Sequence, residues 1–365
     1  MTAELYGESG AGERGRPPFA AGSRTMSTWR ARQARICRKR PVSEPTRWAF
    51  PTSMQPAAGE LHFDFKSALE SVVGLRADIP DDAFTAPILG TERTGCGVVI
   101  DKDGLVLTIG YLITEAESVW LTASDGSVTP AHPVAYDFAT GFGLVMPLGT
   151  LRLPALARGS ASSVAPGDDV FVLGSGGRAH ALKATVFAKR EFAGYWEYLL
   201  DEALFATPAH PEWSGAALVG DDGRLVGIGS LLVQEAVGDE VVKGNMFVPV
   251  DLLASILDDL LRTGRSRAPT RPWLGMYTAE TPNGLIVNGL ATEGPADKAA
   301  VMPGDVVVAV GDNRVAELAA MYRAIWNKGS AGAEIALTLA RDGTPVRVLV
   351  RSGDRRDFLR KPRLQ

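Results

Sequence analysis

A repeated local pattern constrains this chain most: a short apolar run, a turn built on aspartate and glycine, and another short apolar run. The clearest copy is Cys96-Gly97-Val98-Val99-Ile100, Asp101-Lys102-Asp103-Gly104, Leu105-Val106-Leu107-Thr108, and the turn chemistry returns at Ser124-Asp125-Gly126, Asp221-Asp222-Gly223 and Arg341-Asp342-Gly343. Aspartate bonds its own backbone in such turns and glycine takes the positive φ they require. The apolar runs at 119–122, 170–173, 225–228 and 246–250 are too short for helices and read as strands. An all-β barrel or sandwich is therefore predicted from about residue 91 to 250. With 365 residues and 45% apolar content the chain has room for two or three cored domains.

Around that body the pattern changes. Residues 1–58 are rich in Arg, Gly, Ser and Pro, with a basic cluster at Arg30, Arg32, Arg35, Arg38, Lys39 and Arg40; they read as a disordered basic tail, or as an upstream extension if translation begins at Met26 or Met54. Residues 59–90 read as a helix and extended segment, because Leu61, Phe63, Phe65, Leu69, Val72 and Val73 pass from alternation to helical spacing. The barrel body, 91–264, closes with a predicted helix carrying Leu252, Leu253, Ile256, Leu257, Leu260 and Leu261 on one face, Asp251 at its start and Gly264 at its end. A linker at 265–270, a smaller unit at 271–352 and a basic tail at 353–365 follow.

The first 53 residues carry ten Lys and Arg against four Asp and Glu, an excess of six positive charges in a chain of net charge −4, which leaves −10 on the rest. An acidic body argues against nucleic acid as the main partner. Cys37 and Cys96 are the two cysteines, so no disulfide framework, metal-ligand spacing or cofactor motif is expected. Neither an 18-residue apolar run nor a signal-peptide pattern is present, so no membrane span and a cytoplasmic location are expected for the chain as written.

Ser214, in His210-Pro211-Glu212-Trp213-Ser214-Gly215-Ala216, is by local chemistry an ordinary turn residue as readily as a nucleophile. Wider motifs add to this. The run 94–108, the stretches 120–126 and 164–170, Phe247-Val248-Pro249-Val250-Asp251, Arg271-Pro272-Trp273-Leu274-Gly275-Met276 and Gly294-Pro295-Ala296 through Pro303-Gly304-Asp305-Val306 resemble, in order, the HtrA/DegP family. The resemblance implies a mainly β fold, a chymotrypsin/trypsin-like double β-barrel followed by a PDZ domain, and assigns Ser214 the nucleophile position.

The same resemblance places Tyr111 where the family has its histidine base, Gly141 where it has the orienting aspartate, and Glu212 where a glycine contributes an N–H to the oxyanion site; Asp137 takes the acid role only if the alignment slips. A neutral phenol is a poor general base and a serine without one a poor nucleophile. Of the other histidines, His62, His132, His180 and His210, none falls at the base position, and Lys183 reads as a solvated strand residue. In the smaller unit the resemblance assigns peptide binding to Trp273, Leu274, Gly275 and Met276, whose amides would hold a C-terminal carboxylate, while Trp273 reads equally as a packing anchor. Met321, Ala324 and Ile325 would line the groove or belong to the core. Three functions stay open: an inactive family member binding unfolded or C-terminal peptides in protein quality control, an active serine endopeptidase with a non-standard base, and a structural oligomer, by resemblance a trimer with Phe63 and Phe65 at its contacts.

Overall fold

The computed structural model describes residues 2–4, 48–237 and 240–360. The basic cluster, Cys37 and Met26 lie outside the described residues. Strand β1 (Thr2–Glu4) pairs along Leu232, Val233 and Gln234 of the second barrel.

The first barrel closes in the order β2-β3-β4-β7-β6-β5, from β2 (Val72–Asp78), β3 (Glu92–Val99), β4 (Val106–Ile109), β5 (Ser118–Thr122), β6 (Val128–Tyr136) and β7 (Phe142–Pro147). Its first strand lies within the segment that the sequence reading set ahead of the barrel. Helix α1 spans only Phe65–Glu70, and Val72, Val73, Leu75 and Ala77 are buried in β2, paired to β3 on one side and β5 on the other. Ser71 caps α1 and the chain turns at once into the strand, so apolar spacing that continued a helix belongs instead to a period of two.

The second barrel comprises β8 (Asp169–Leu173), β9 (Ala181–Gly194), β10 (Tyr198–Thr207), β11 (Ala217–Val219), β12 (Leu225–Val237) and β13 (Glu240–Pro249). They pair in the order β12-β11-β8-β9-β10-β13, and β13 returns to β12. Val170, Val172, Leu182, Leu204, Leu218 and Phe247 fill its core. Phe63 and Phe65 pack on each other and Phe63 on Phe171 of β8; Phe65 is buried and Phe63 half-buried.

The aspartate-glycine turns work through their side chains. Asp101 accepts from the amides of Asp103 and Leu105, Asp125 from Ser127 and Asp222 from Arg224, and Gly104, Gly126 and Gly223 all take positive φ. A single helical turn, α2 (Ala86–Leu89), lies between β2 and β3, and the closing helix is two short pieces, α3 (Asp251–Ala254) and α4 (Leu257–Thr263). Ser255 bonds the Leu252 carbonyl between them, an alternative to the helix ladder. Asp251 accepts from Ser160 Oγ and the Ala161 amide instead of capping its own helix. Leu253 and Leu260 enter the core, Leu261 is exposed, and Gly264 ends α4 in the left-handed conformation.

The smaller unit holds β14 (Met276–Thr281), β15 (Gly284–Leu290), β16 (Val306–Val310), β17 (Asn313–Arg314), β18 (Glu334–Arg341) and β19 (Thr344–Arg351), with helices α5 (Pro295–Lys298) and α6 (Leu318–Trp326). Asp342 and Gly343, both at positive φ, make the two-residue turn between β18 and β19. Residues 353–360, read from the sequence as part of a tail, fold back: Phe358 packs on Trp273 and Phe84, and the Arg360 amide bonds Glu115.

Candidate active site

The loop from β10 to β11 presents Ser214 where the barrels meet, and backbone bonds to both fix it there. The Ser214 carbonyl accepts from the Cys96 amide of β3 at 2.7 Å, while the Gly215 amide donates to Gly229 of β12 at 2.8 Å. Gly215 has φ +76°, and a Cβ there would fall 1.9 Å from the Cys96 carbonyl oxygen, so no side chain fits at this position. The Cys96 thiol beneath is buried and pushed up to about 12, chiefly by desolvation, which leaves it protonated and inert.

Tyr111 sits in a tight turn, Gly110–Leu112, directly after β4. Its Oη lies 2.7 Å from Ser214 Oγ and donates to the Ser230 carbonyl of β12 at 2.9 Å. A phenol has one proton to give, so with that proton on Ser230 the serine hydroxyl is the donor in the other bond. Burial raises the phenol's pKa, outweighing the hydrogen bonds from Ser214 and Trp213 that favour the phenolate. The phenol oxygen therefore receives a hydrogen bond but cannot accept the serine proton at neutral pH.

A buried arginine holds the Tyr111 turn. Arg93 Nη1 donates to the carbonyls of Tyr111 at 2.6 Å and Thr114 at 3.1 Å, and Nη2 to Thr85 Oγ1; desolvation lowers its pKa to about 10, still well above neutrality.

Gly141 has φ +83° and its carbonyl accepts from the Gly110 amide. A Cβ there would lie 2.9 Å from Tyr198 Oη, and that buried phenol donates to the Thr140 carbonyl at 2.6 Å. An aromatic ring thus borders the space into which an acidic side chain at 141 would grow. Asp137 caps its own turn: Oδ2 accepts from the Thr140 amide and from Thr140 Oγ1, each at 2.8 Å.

On the other side of Ser214, the Glu212 amide donates to His210 Nδ1 at 3.0 Å, and Glu212 Oε2 lies 3.3 Å from His180 Nδ1. Because Nδ1 of His210 accepts, Nε2 carries the proton and meets the His180 carbonyl at 2.8 Å. His210 is fully buried and burial lowers its pKa, which makes it a neutral tie between the loop, Asn245 and His180. His62 and His132 are exposed on other elements, and Lys183 forms ion pairs with Glu60 and Asp169. The structure brings Ser214 and Tyr111 together, with Glu212 beside them through its backbone. Arg93, Ser230 and Tyr198, which complete the surroundings, come from three different strands, β3, β12 and β10, and carry no local motif.

In the smaller unit, Trp273 is buried between Phe84 and Phe358 and exchanges backbone bonds with Gly353, so its side chain packs as an anchor. Leu274 and Met276 turn their side chains into the core and direct their amides, with that of Gly275, outward to a carboxylate. Met321 and Ile325 are fully buried in the same core and Ala324 packs against it. Among the described residues, no group of three or more His, Cys, Asp and Glu could hold a metal ion, and no helix is long and apolar enough to cross a membrane.

Comparison with known proteins is consistent with this architecture. A trypsin-like peptidase domain matches residues 95–228 and a PDZ domain matches 272–351. The probable periplasmic serine endoprotease DegP-like of Hahella chejuensis is 25% identical over 275 residues, covering 72% of this chain and 57% of the relative. The serine endoprotease DegS of Haemophilus influenzae is 24% identical, covering 72% and 77%. The chain thus spans little more than half the length of the first of these relatives. Among solved structures, the HtrA-type protease AlgW with decapeptide superposes with a TM-score of 0.48 at 20% identity, covering 82% of this chain and all of that one. The expected cytoplasmic location does not stand, since the DegP-like relatives are periplasmic endoproteases by name. The chain thus carries a trypsin-like peptidase domain leading into a PDZ domain and is similar across both to DegP-like and DegS serine endoproteases.

Proposed function

We propose that this chain is a non-hydrolysing member of the family that binds unfolded or C-terminal peptides outside the cytoplasm, as a scaffold or chaperone-like factor in protein quality control. One observation carries the reading: the Ser214 hydroxyl is hydrogen-bonded to a phenol that donates its own O–H to the Ser230 carbonyl, so the residue in the base position cannot serve the serine as a base. Loss of the histidine alone costs a serine protease on the order of a millionfold in kcat. The Glu212 amide adds to this, because it points to His210 rather than to the place where an oxyanion would form. The PDZ domain supports peptide binding.

Reaction with a fluorophosphonate serine probe tests the reading, comparing the natural chain with Ser214→Ala from pH 6 to 9. Absence of serine-dependent labelling is expected; labelling that vanishes in the alanine variant would establish instead the endopeptidase reading, which the names of the relatives favour. Trimer formation, implied by the family resemblance, is part of the proposal and is decided by sedimentation.

A further inference from the structure

The amides of Leu274, Gly275 and Met276 already hold a carboxylate, and it belongs to the second barrel. Glu197 Oε1 accepts from Gly275 at 2.6 Å, Met276 at 3.0 Å and Leu274 at 3.2 Å, and Oε2 accepts from Leu274 at 3.0 Å. Glu197 lies in the turn between β9 and β10, where its backbone takes φ +59°, an uncommon conformation for a residue other than glycine.

Two further contacts place that turn as a bound segment. Tyr195, two residues earlier, offers its carbonyl to the Thr278 amide of β14 at 3.0 Å, an added bond on the strand that pairs with β15 on its other side. From the helix wall, Tyr322 of α6 donates to the Gly194 carbonyl at 2.7 Å and accepts from the Glu197 amide at 3.3 Å. Carboxylate in the amide loop, backbone on the strand edge and contact with the helix are the three elements of strand-addition peptide recognition. The packing agrees: Leu199 of β10 is buried within the smaller unit's own core beside Leu274, Met276 and Met321, and Arg323 of α6 pairs with Glu191 and Asp201 on the two strands flanking the turn.

We propose that the turn Tyr195-Trp196-Glu197 is an intrinsic ligand of the PDZ groove, with the Glu197 carboxylate standing where a peptide's terminal carboxylate would be held, so that an external peptide enters by displacing it. This deepens the peptide-binding reading and rests on it for the second half of the statement alone. The partner that the groove fits is therefore an internal acidic turn, and external ligands face a competitor at an effective concentration set by the same chain.

Amide hydrogen exchange on the full chain tests occupancy without any peptide. In the natural chain the amides of residues 274–276 are protected; Glu197→Ala, which removes the acceptor, is expected to raise their exchange roughly tenfold or more. Tyr322→Phe, which deletes the contact to Gly194 at nearly constant volume, is expected to raise it less, and Glu197→Gln, which keeps an acceptor oxygen, least. Unchanged exchange in both Glu197→Ala and Tyr322→Phe would overturn the proposal. A fluorescent peptide with a free C-terminal carboxylate, and its amidated form, then test displacement. Tighter binding of the free form to Glu197→Ala than to the natural chain is expected. Increased exchange without any such gain would leave Glu197 in the loop and remove the peptide-binding reading instead.

Discussion

The phenolic oxygen of Tyr111 stands 2.7 Å from the hydroxyl oxygen of Ser214 and points its proton away, to Ser230. The contact has the distance of a nucleophile and base and the wrong proton order. Replacing the phenol by imidazole corrects only part of this. Tyr111→His is expected to leave turnover of an unfolded substrate such as casein below detection, because Gly141 supplies no carboxylate to orient the ring and the Glu212 amide remains bonded to His210. Casein cleavage by the single variant would show that an imidazole at position 111 needs neither that carboxylate nor that amide.

Tyr111→Phe separates structure from chemistry at the same place. It leaves the Ser230 carbonyl without its phenolic donor in a buried strand, and a loss of about 1–3 kcal/mol in unfolding free energy by urea titration is expected. Fluorophosphonate labelling of Ser214 is expected to stay absent, since freeing a hydroxyl does not activate it.

At position 141 the obstacle is Tyr198. Gly141→Asp would bring its first side-chain carbon within 2.9 Å of the Tyr198 hydroxyl, and a cost of roughly 2–3 kcal/mol is expected. In combination with Tyr198→Ala the two changes should be strongly non-additive, because each alone disturbs a contact that the other removes. Additive losses in the double-variant cycle would mean that the ring does not occupy the acid's space.

Gly215→Ala is expected to be the most damaging single methyl group in the chain. It combines a positive φ with a Cβ set 1.9 Å from a backbone oxygen that no rotamer can move. A loss of roughly 3–5 kcal/mol or failure to accumulate folded protein follows, while Gly126→Ala, at similar φ with open space around it, is expected to cost about 1 kcal/mol. Comparing the two in urea isolates the steric part.

What the sequence could show followed the range of each interaction. The aspartate-glycine turns were legible because the residues that make the turn are the turn, as Asp101 and Gly104 demonstrate. Val72 and Val73 were not, because four apolar residues after a helical stretch fit either period until β3 and β5 pair with them. The ordered motifs exposed the two-domain plan and the place of Ser214. They could not reveal Arg93 beneath Tyr111, Tyr198 beside Gly141 or Glu197 in the amide loop, since each partnership spans between 18 and 79 residues of sequence or joins an ordinary side chain to backbone, for which no residue pattern exists.

Protonation should regulate the docked turn. Glu197 is raised from 4.5 to about 7, first by desolvation, against the opposing pull of the three amides and Arg355. Tyr277 and Tyr322, the other titratable groups facing it, have phenols raised by burial and stay neutral in this range. An undocked, solvated glutamate keeps its ordinary value, so the docked state binds the extra proton. The docked turn is therefore favoured most below pH 4.5, loses that advantage as pH rises through about 7, and is insensitive above it. Peptide affinity measured for the natural chain relative to Glu197→Gln, a ratio in which the peptide's own titration cancels, is expected to climb by roughly tenfold or more from pH 5 to pH 8. A flat ratio would show that the proton that controls access to the groove is not on Glu197.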